Sequence, residues 1–183
     1  MSLRMSFFRT LGFGLILMPL VPLASFAGEG PSPAWATQTV AQLETGVEHK
    51  HPAVYTVIVK DLFERGHKDE AVFWFYLGQL RYRAYLAAHP NLASDNDPEL
   101  FQAFMSETGP PLNEYAFGNI PALAATLTRV IAWDEAHPDD YAPKANKARA
   151  DVVAGLKSLR ANILEQKDSI RAQRAARGLP NHR

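Results

Sequence analysis

Large apolar residues recur at three- and four-residue intervals along most of this 183-residue chain, and no convincing polar–apolar alternation interrupts them, so the pattern predicts an all-α fold. Proline and glycine divide the pattern into about six helices. A first short helix is expected over residues 35–44, closed by Gly46. A second spans 52–64, with Pro52 in the first turn, where a missing N–H costs little, and Gly66 as its stop. Val54, Val57, Ile58 and Leu62 form its apolar stripe.

Residues 69–88, reading DEAVFWFYLGQLRYRAYLAA, are apolar on nearly every side, which marks the central helix of a bundle. Asp69 and Glu70 complement the dipole at its start, and His89-Pro90 closes it. Asp97-Pro98-Glu99 signals an N-cap and first turn for a helix reaching about Ser106, with Gly109-Pro110-Pro111 as its end. Residues 112–118 form a short helix or ordered loop. Asn119 caps the next helix, which runs to Ala136 with Leu123, Leu127, Val130 and Ile131 toward the core. From Lys144 one long helix is expected, on which Val152, Leu156, Leu159, Ile163, Gln166 and Ile170 mark a seam suited to packing on the domain itself. Residues 171–183 carry almost no large apolar side chain and are expected to fray.

The first 27 residues follow a different pattern. Arg4 and Arg9 precede a 13-residue apolar run over 11–23, and Ser25-Phe26-Ala27 supplies small residues for cleavage. The run is shorter than the ~20 residues a bilayer span needs, and Pro19 and Pro22 interrupt it. The reading is a signal peptide over 1–27, a flexible start over 28–34, one helical domain over 35–170 and a basic tail over 171–183. Export without any cysteine favours a periplasmic or secreted protein stabilised by packing alone, after cleavage near Ala27.

Charge changes the picture along the mature chain. Residues 28–143 hold 16 acidic against 7 basic residues, a net of −9, whereas 144–183 hold 3 against 10, a net of +7. A basic helix lying on its own acidic body accounts for this without a further partner; contact of the tail with an anionic membrane surface is the other reading. Nucleic acid is not expected, since no aromatic-basic platform accompanies the arginines.

RYRAYLAAHPN at residues 81–91 is echoed by RVIAWDEAHPD at 129–139, either a repeated helix-pair unit or the same helix stop used twice. The stretch LFERGHKDEAVFWFYLGQLR, residues 62–81, resembles part of a tetratricopeptide-type helical repeat, with a small turn before an acidic-then-Ala helix start. That resemblance implies antiparallel helix pairs and protein binding through helical surfaces.

Candidate chemistry is sparse. There is no G-x-S-x-G elbow, no thiol and no phosphate loop, and no catalytic residue, metal ligand or cofactor is assigned. Glu48, His49, His51, His67 and Asp69 lack metal-ligand spacing, and the histidines read as surface loop residues. Asp95, Asp97 and Glu99 lack the Gly and Glu of a calcium loop. The unusual polar residues are Gln79, Arg81 and Arg83 inside the aromatic helix, since a guanidinium forced inward needs a partner. Glu114 and Asp134 are the candidate partners, and Trp74 and Tyr85 the candidate cation–π neighbours of Arg81. These seven residues outline either an internal network or a polar interaction surface.

The functional expectation is a non-enzymatic exported protein that binds an envelope or secreted protein in the periplasm, of an inhibitor or immunity kind. The alternative is a periplasmic hydrolase or metal-dependent enzyme assembled from residues such as Glu70, Glu114, His89 and His137.

Overall fold

The computed structural model describes residues 37–90 and 96–182. The segment read as a signal peptide, the expected flexible start at 28–34 and the expected helix entry at Trp35 lie outside the described residues. Within them the chain is helical and contains no strand, the all-α class that the periodicity predicts. In order come α1 (Val40–Glu44), α2 (Val54–Glu64), α3 (Lys68–Ala88), α4 (Asp97–Ala103), α5 (Gly109–Ala116), α6 (Ile120–Ala136), α7 (Asn146–Glu165) and α8 (Lys167–Ala176). Short 3-10 turns occupy Val47–His49 and Pro143–Ala145, and a π-helical turn occupies Phe104–Thr108. No helix of the described residues is long and apolar enough to cross a membrane.

Local chemistry sets the helix boundaries. Helix α1 starts at Val40 because Thr39 and Gln42 form a capping box, each side chain serving the other's backbone N–H. Its far end is closed by Lys50, whose ammonium donates to the carbonyls of Gln42, Leu43 and Thr45. Gly66, at φ +84°, supplies the left-handed turn that ends α2 and starts α3. Asn119 Oδ1 accepts from Ala122 N at 3.1 Å, the cap expected for α6.

Gly109-Pro110-Pro111 does not end its helix. Prolines 110 and 111 fall in the first turn of α5, where their missing donors are tolerated, and the π turn at Phe104–Thr108 joins α4 to α5 ahead of them. The long C-terminal helix bends at Gln166 into α7 and α8, with Ile170 N still bonded to Gln166 O. Residues 171–182, expected to fray, continue as α8 to Ala176 and then fold back. Arg174 donates to Pro180 O at 2.7 Å, Asn181 Nδ2 to Arg171 O at 3.2 Å, and His182 N to Gly118 O at 2.8 Å.

Helix α3 is the centre of the bundle, packing against α2, α5, α6 and α7. Phe75, Leu77, Leu80, Tyr82 and Ala84 are fully buried, which accounts for an apolar surface in every direction. Leu123, Leu127, Val130 and Ile131 of α6 and the α7 seam residues Leu156 and Ile163 join the same core, with Val152, Leu159 and Ile170 packed at its edge. A smaller cluster, including Ala53, Tyr82, Tyr85, Ala142 and Ala145, sits at the C-terminal end of α3.

Both echoed segments end alike. His89 Nδ1 donates to Tyr85 O at 2.8 Å and His137 Nδ1 to Trp133 O at 2.7 Å. Each imidazole also lies against the aromatic ring four residues earlier, at 4.7 and 4.0 Å. The arginines of the echo differ: Arg81 is buried, whereas Arg129 is exposed and lies over the Phe73 ring. The common letters include a shared helix stop.

The approach of α2 to α3 depends on Gly78. A Cβ there would lie 2.7 Å from Tyr55 Cβ, so Gly78→Ala should destabilise the chain by about 1–3 kcal/mol in urea unfolding. Gly155 of α7 has nothing within 4 Å of the same position, and Gly155→Ala should stabilise by about 0.5–1 kcal/mol. Equal effects of the two substitutions would remove the packing explanation.

Candidate functional site

Two polar assemblies meet at the C-terminal end of α3. The first is an alternating chain of charges. Asp134 of α6 is fully buried, and its Oδ1 lies 2.7 Å from Arg81 Nε, an ion pair whose angle falls short of a hydrogen bond. Its Oδ2 takes Arg149 Nε of α7, and Arg149 Nη2 donates to Asp134 O at 2.9 Å. Arg81 Nη1 approaches Asp139 Oδ2 at 3.4 Å, while Nη2 donates to His137 O. Two guanidinia and two carboxylates thus balance, as burial of this many charges requires. Arg81 also lies over the Trp133 ring at 5.6 Å, and Trp133 stacks on His137 with planes 10° apart.

The second assembly surrounds Asp97, which is 3% exposed. Its Oδ1 accepts from Tyr82 OH at 2.9 Å, and His51 Nε2 lies 3.2 Å from the same oxygen. Ala53 N donates to His51 Nδ1 at 3.1 Å, which leaves the ring proton on Nε2, facing the carboxylate. Tyr85 lies beside Asp97 and faces Tyr141, their rings 5.7 Å apart. The His51 ring stands edge-on to Tyr85 and Tyr141, each at 5.3 Å. Burial first, and then the Asp97 charge and its hydrogen bonds, push the Tyr82 and Tyr85 phenols up from their ordinary range; burial and Asp97 raise Tyr141 as well. All three therefore remain hydrogen-bond donors near neutral pH.

Residues 137–142 connect the assemblies. Asp139 serves Arg81 and also accepts from Ala142 N at 3.0 Å, while Tyr141 N donates to Glu48 O at 3.2 Å. On the outside, His49 Nδ1 lies 3.1 Å from Asp140 Oδ2. The result is a polar pole whose exposed rim holds His49, Asp140 and Tyr141 above buried Asp97 and Asp134. Among the described residues, no group of His and carboxylates is arranged to hold a metal ion.

The seven residues singled out by sequence are only partly brought together. Arg81 and Asp134 pair, and Tyr85 belongs to the adjoining Asp97 assembly. Gln79 is buried on α3, and Trp74 is half-buried against Tyr55, Phe73 and Trp133. Glu114 is exposed on α5 and is no partner of Arg81. Arg83 points outward and lies over the Phe101 ring at 5.6 Å. The cation–π partner of Arg81 is Trp133, rather than Trp74 or Tyr85.

Sequence reasoning missed Arg149, Asp139, Asp97, Tyr82, Tyr141 and His51. Asp97 was legible as a helix-start residue, but Asn96 takes the N-cap position at φ 57° and frees the Asp97 carboxylate for His51 and Tyr82. His51 is not a free surface histidine, because both ring nitrogens are engaged. The one available signal was the i, i+3 pair Tyr82 and Tyr85, which must share a helix face.

Compared with known proteins, the chain matches no family model, no curated protein and no solved structure.

Asp134→Asn would leave Arg81 and Arg149 facing a neutral amide in the interior. A loss of about 3–5 kcal/mol in unfolding free energy is expected, and a loss below about 1 kcal/mol would mean the network is dispensable. Burial foremost and then the Glu70 charge raise the Glu44 carboxyl from its ordinary range, with the Trp74 side chain opposing the shift. Charged Glu44 is thus disfavoured in the folded state once pH rises above the carboxylate range. Glu44→Gln should raise the melting temperature at pH 7 relative to its effect at pH 3, where the carboxyl is largely protonated before and after unfolding.

Proposed function

We propose that this chain is an exported helical protein that binds another protein in the periplasm, of the inhibitor or immunity kind, and acts through that contact rather than by catalysis. Export rests on the residue 1–27 pattern of cations, short apolar run and small residues. The polar pole is the binding surface.

The observation that carries this reading is Tyr141. Its side chain is an exposed aromatic, with 41% of the residue surface open, yet His51 and Tyr85 brace its ring at 5.3 and 5.7 Å. An aromatic anchor already held in place loses little conformational freedom on binding, which is why tyrosines dominate interface energetics. Exposed Asp140 lies beside it in the chain, and residues 28–143 carry −9, which suits a basic partner. The tetratricopeptide-like segment at 62–81 points to the same mode of action, contact through helical surfaces.

The hydrolase reading draws on one feature, the His51–Asp97 pair, which has the His–carboxylate composition of a catalytic dyad. Ala53 N–H occupies the nitrogen that a general base would need to leave open. That geometry favours the binding reading.

Capture from a periplasmic extract with immobilised wild-type chain and its Tyr141→Ala variant tests the proposal. A partner held by the wild type at low salt should be weakened at least tenfold by Tyr141→Ala and also by added salt, with helical content unchanged. Equal capture by both chains would place any contact elsewhere.

A further inference from the structure

Residues 144–183 carry a net charge of +7, which a basic segment lying on an acidic body would spend on that body. The fold spends little of it. Arg149 pairs with Asp134 and Arg174 donates to Pro180 O, so these two cations serve the interior. Lys157, Arg160, Lys167 and Arg171 form no ion pair within 4 Å among the described residues. Lys157, Arg160 and Arg171 are exposed, and Lys167 is half-buried.

Their spacing gathers them. At about 100° per residue Lys157, Arg160 and Leu164 of α7 fall within about 60° of one another, whereas Asp151 and Glu165 of the same helix lie about 80° or more round from each of them. Leu164 is 42% exposed, a large apolar side chain at the surface between Arg160 and Lys167. Lys167 and Arg171 continue the basic series one turn apart on α8, whose acidic residue, Asp168, sits in its first turn. From Lys157 to Arg171 the helices extend about 20 Å at the usual helical rise. Ala161 and Ala175, exposed one turn beyond Lys157 and Arg171, are short and leave the cations unobstructed.

We infer that α7 and α8 dock on an anionic phospholipid surface through Lys157, Arg160, Lys167 and Arg171, with Leu164 entering the headgroup layer. A fluid sheet of anionic headgroups rearranges to meet a row of flexible cations, each of which adds to the attraction. A protein partner of matching charge fits less well, because interface energy concentrates in aromatic anchors and residues 144–183 contain no Phe, Tyr or Trp. The rest of the chain sets the orientation: residues 28–143, at −9, are repelled by the surface that attracts these helices. Binding of this kind lies on the bilayer and needs no spanning segment. It uses a different part of the molecule from the polar pole, so the two proposals stand or fall independently.

Co-sedimentation of the full chain with vesicles of equal parts phosphatidylglycerol and phosphatidylcholine, and with vesicles of phosphatidylcholine alone, tests the assignment. Wild type should prefer the anionic vesicles at low salt and lose that preference as salt is added. Lys157→Gln combined with Arg160→Gln should weaken anionic binding by about tenfold or more, the loss expected for two surface cations. Lys144→Gln combined with Lys147→Gln removes the same charge from the start of α7 and should cost less than about threefold. Leu164→Ser should weaken binding at every salt concentration, since its contribution is apolar. All five positions are exposed, so the variants should keep the helical content of wild type, and residues 1–27 are common to all of them. The assignment is overturned if both vesicle types bind alike, or if the 157/160 pair costs no more than the 144/147 pair. Vesicle binding that survives the 157/160 change while capture of an acidic protein is lost would assign the stripe to a protein and overturn it equally.

Discussion

The bundle is organised around one buried carboxylate. Asp134 is reached by Arg81 from α3 and by Arg149 from α7, so a single side chain on α6 ties together three helices that all pack on one another. Apolar packing alone tolerates sliding and rotation of helices past each other, because one leucine can replace another as a neighbour. A buried ion pair does not, since any displacement leaves a charge without its partner in a poor solvent. The alternation Arg149, Asp134, Arg81, Asp139 therefore sets the register of the bundle, and the apolar side chains fill the space it defines.

This constraint follows from the composition of α3. A central helix surrounded by neighbours leaves few solvent-facing positions, of which Arg83 takes one, so the polar groups of its last turns that face inward must be satisfied internally. Arg81 uses Asp134, Asp139 and a carbonyl; Tyr82 and Tyr85 use Asp97. The turn 137–142 touches both groups, through Asp139 and the His137 carbonyl to Arg81 and through the Tyr141 ring to His51, which couples the end of α6 to the segment around His51. Rigidity at the rim is a by-product: Tyr141 is exposed, but its ring is braced from beneath by residues whose own positions are fixed by buried carboxylates.

Much of the fold was legible because it depends on local signals. The all-round apolar surface of residues 69–88 identified the central helix, the prolines and glycines located most helix ends, and the seam from Val152 to Ile170 packs on the core as its spacing implied. The Arg81–Asp134 pair was also accessible, since a guanidinium inside an aromatic helix demands a carboxylate and few were at suitable positions. What could not be read were choices between equivalent residues. Glu114 and Asp139 are both acidic, and only the three-dimensional path of residues 137–142 brings Asp139 to Arg81. Asp97 was ambiguous for another reason: the same residue type caps helices and receives buried donors, and Asn96 in a left-handed conformation decided between the two uses.

The C-terminal strap illustrates the limit of composition as a guide to order. Residues 171–182 have too little apolar surface to be held by burial, and on that ground alone they should be loose. They are held instead by backbone groups. Arg174 reaches forward to Pro180 O, Leu179 N returns to Arg174 O, and His182 N finds Gly118 O on a separate helix-joining turn. No hydropathy pattern encodes such bonds, because every residue type except proline carries the donor and every one the acceptor. Side-chain traces include the absence of a Cβ at Gly118, which admits the His182 ring, an arginine long enough to span the turn, and the Asn181 amide that returns to Arg171 O. Order at this end is therefore specified by a vacancy in one segment and a reach in another, and it stays invisible until both are placed in space.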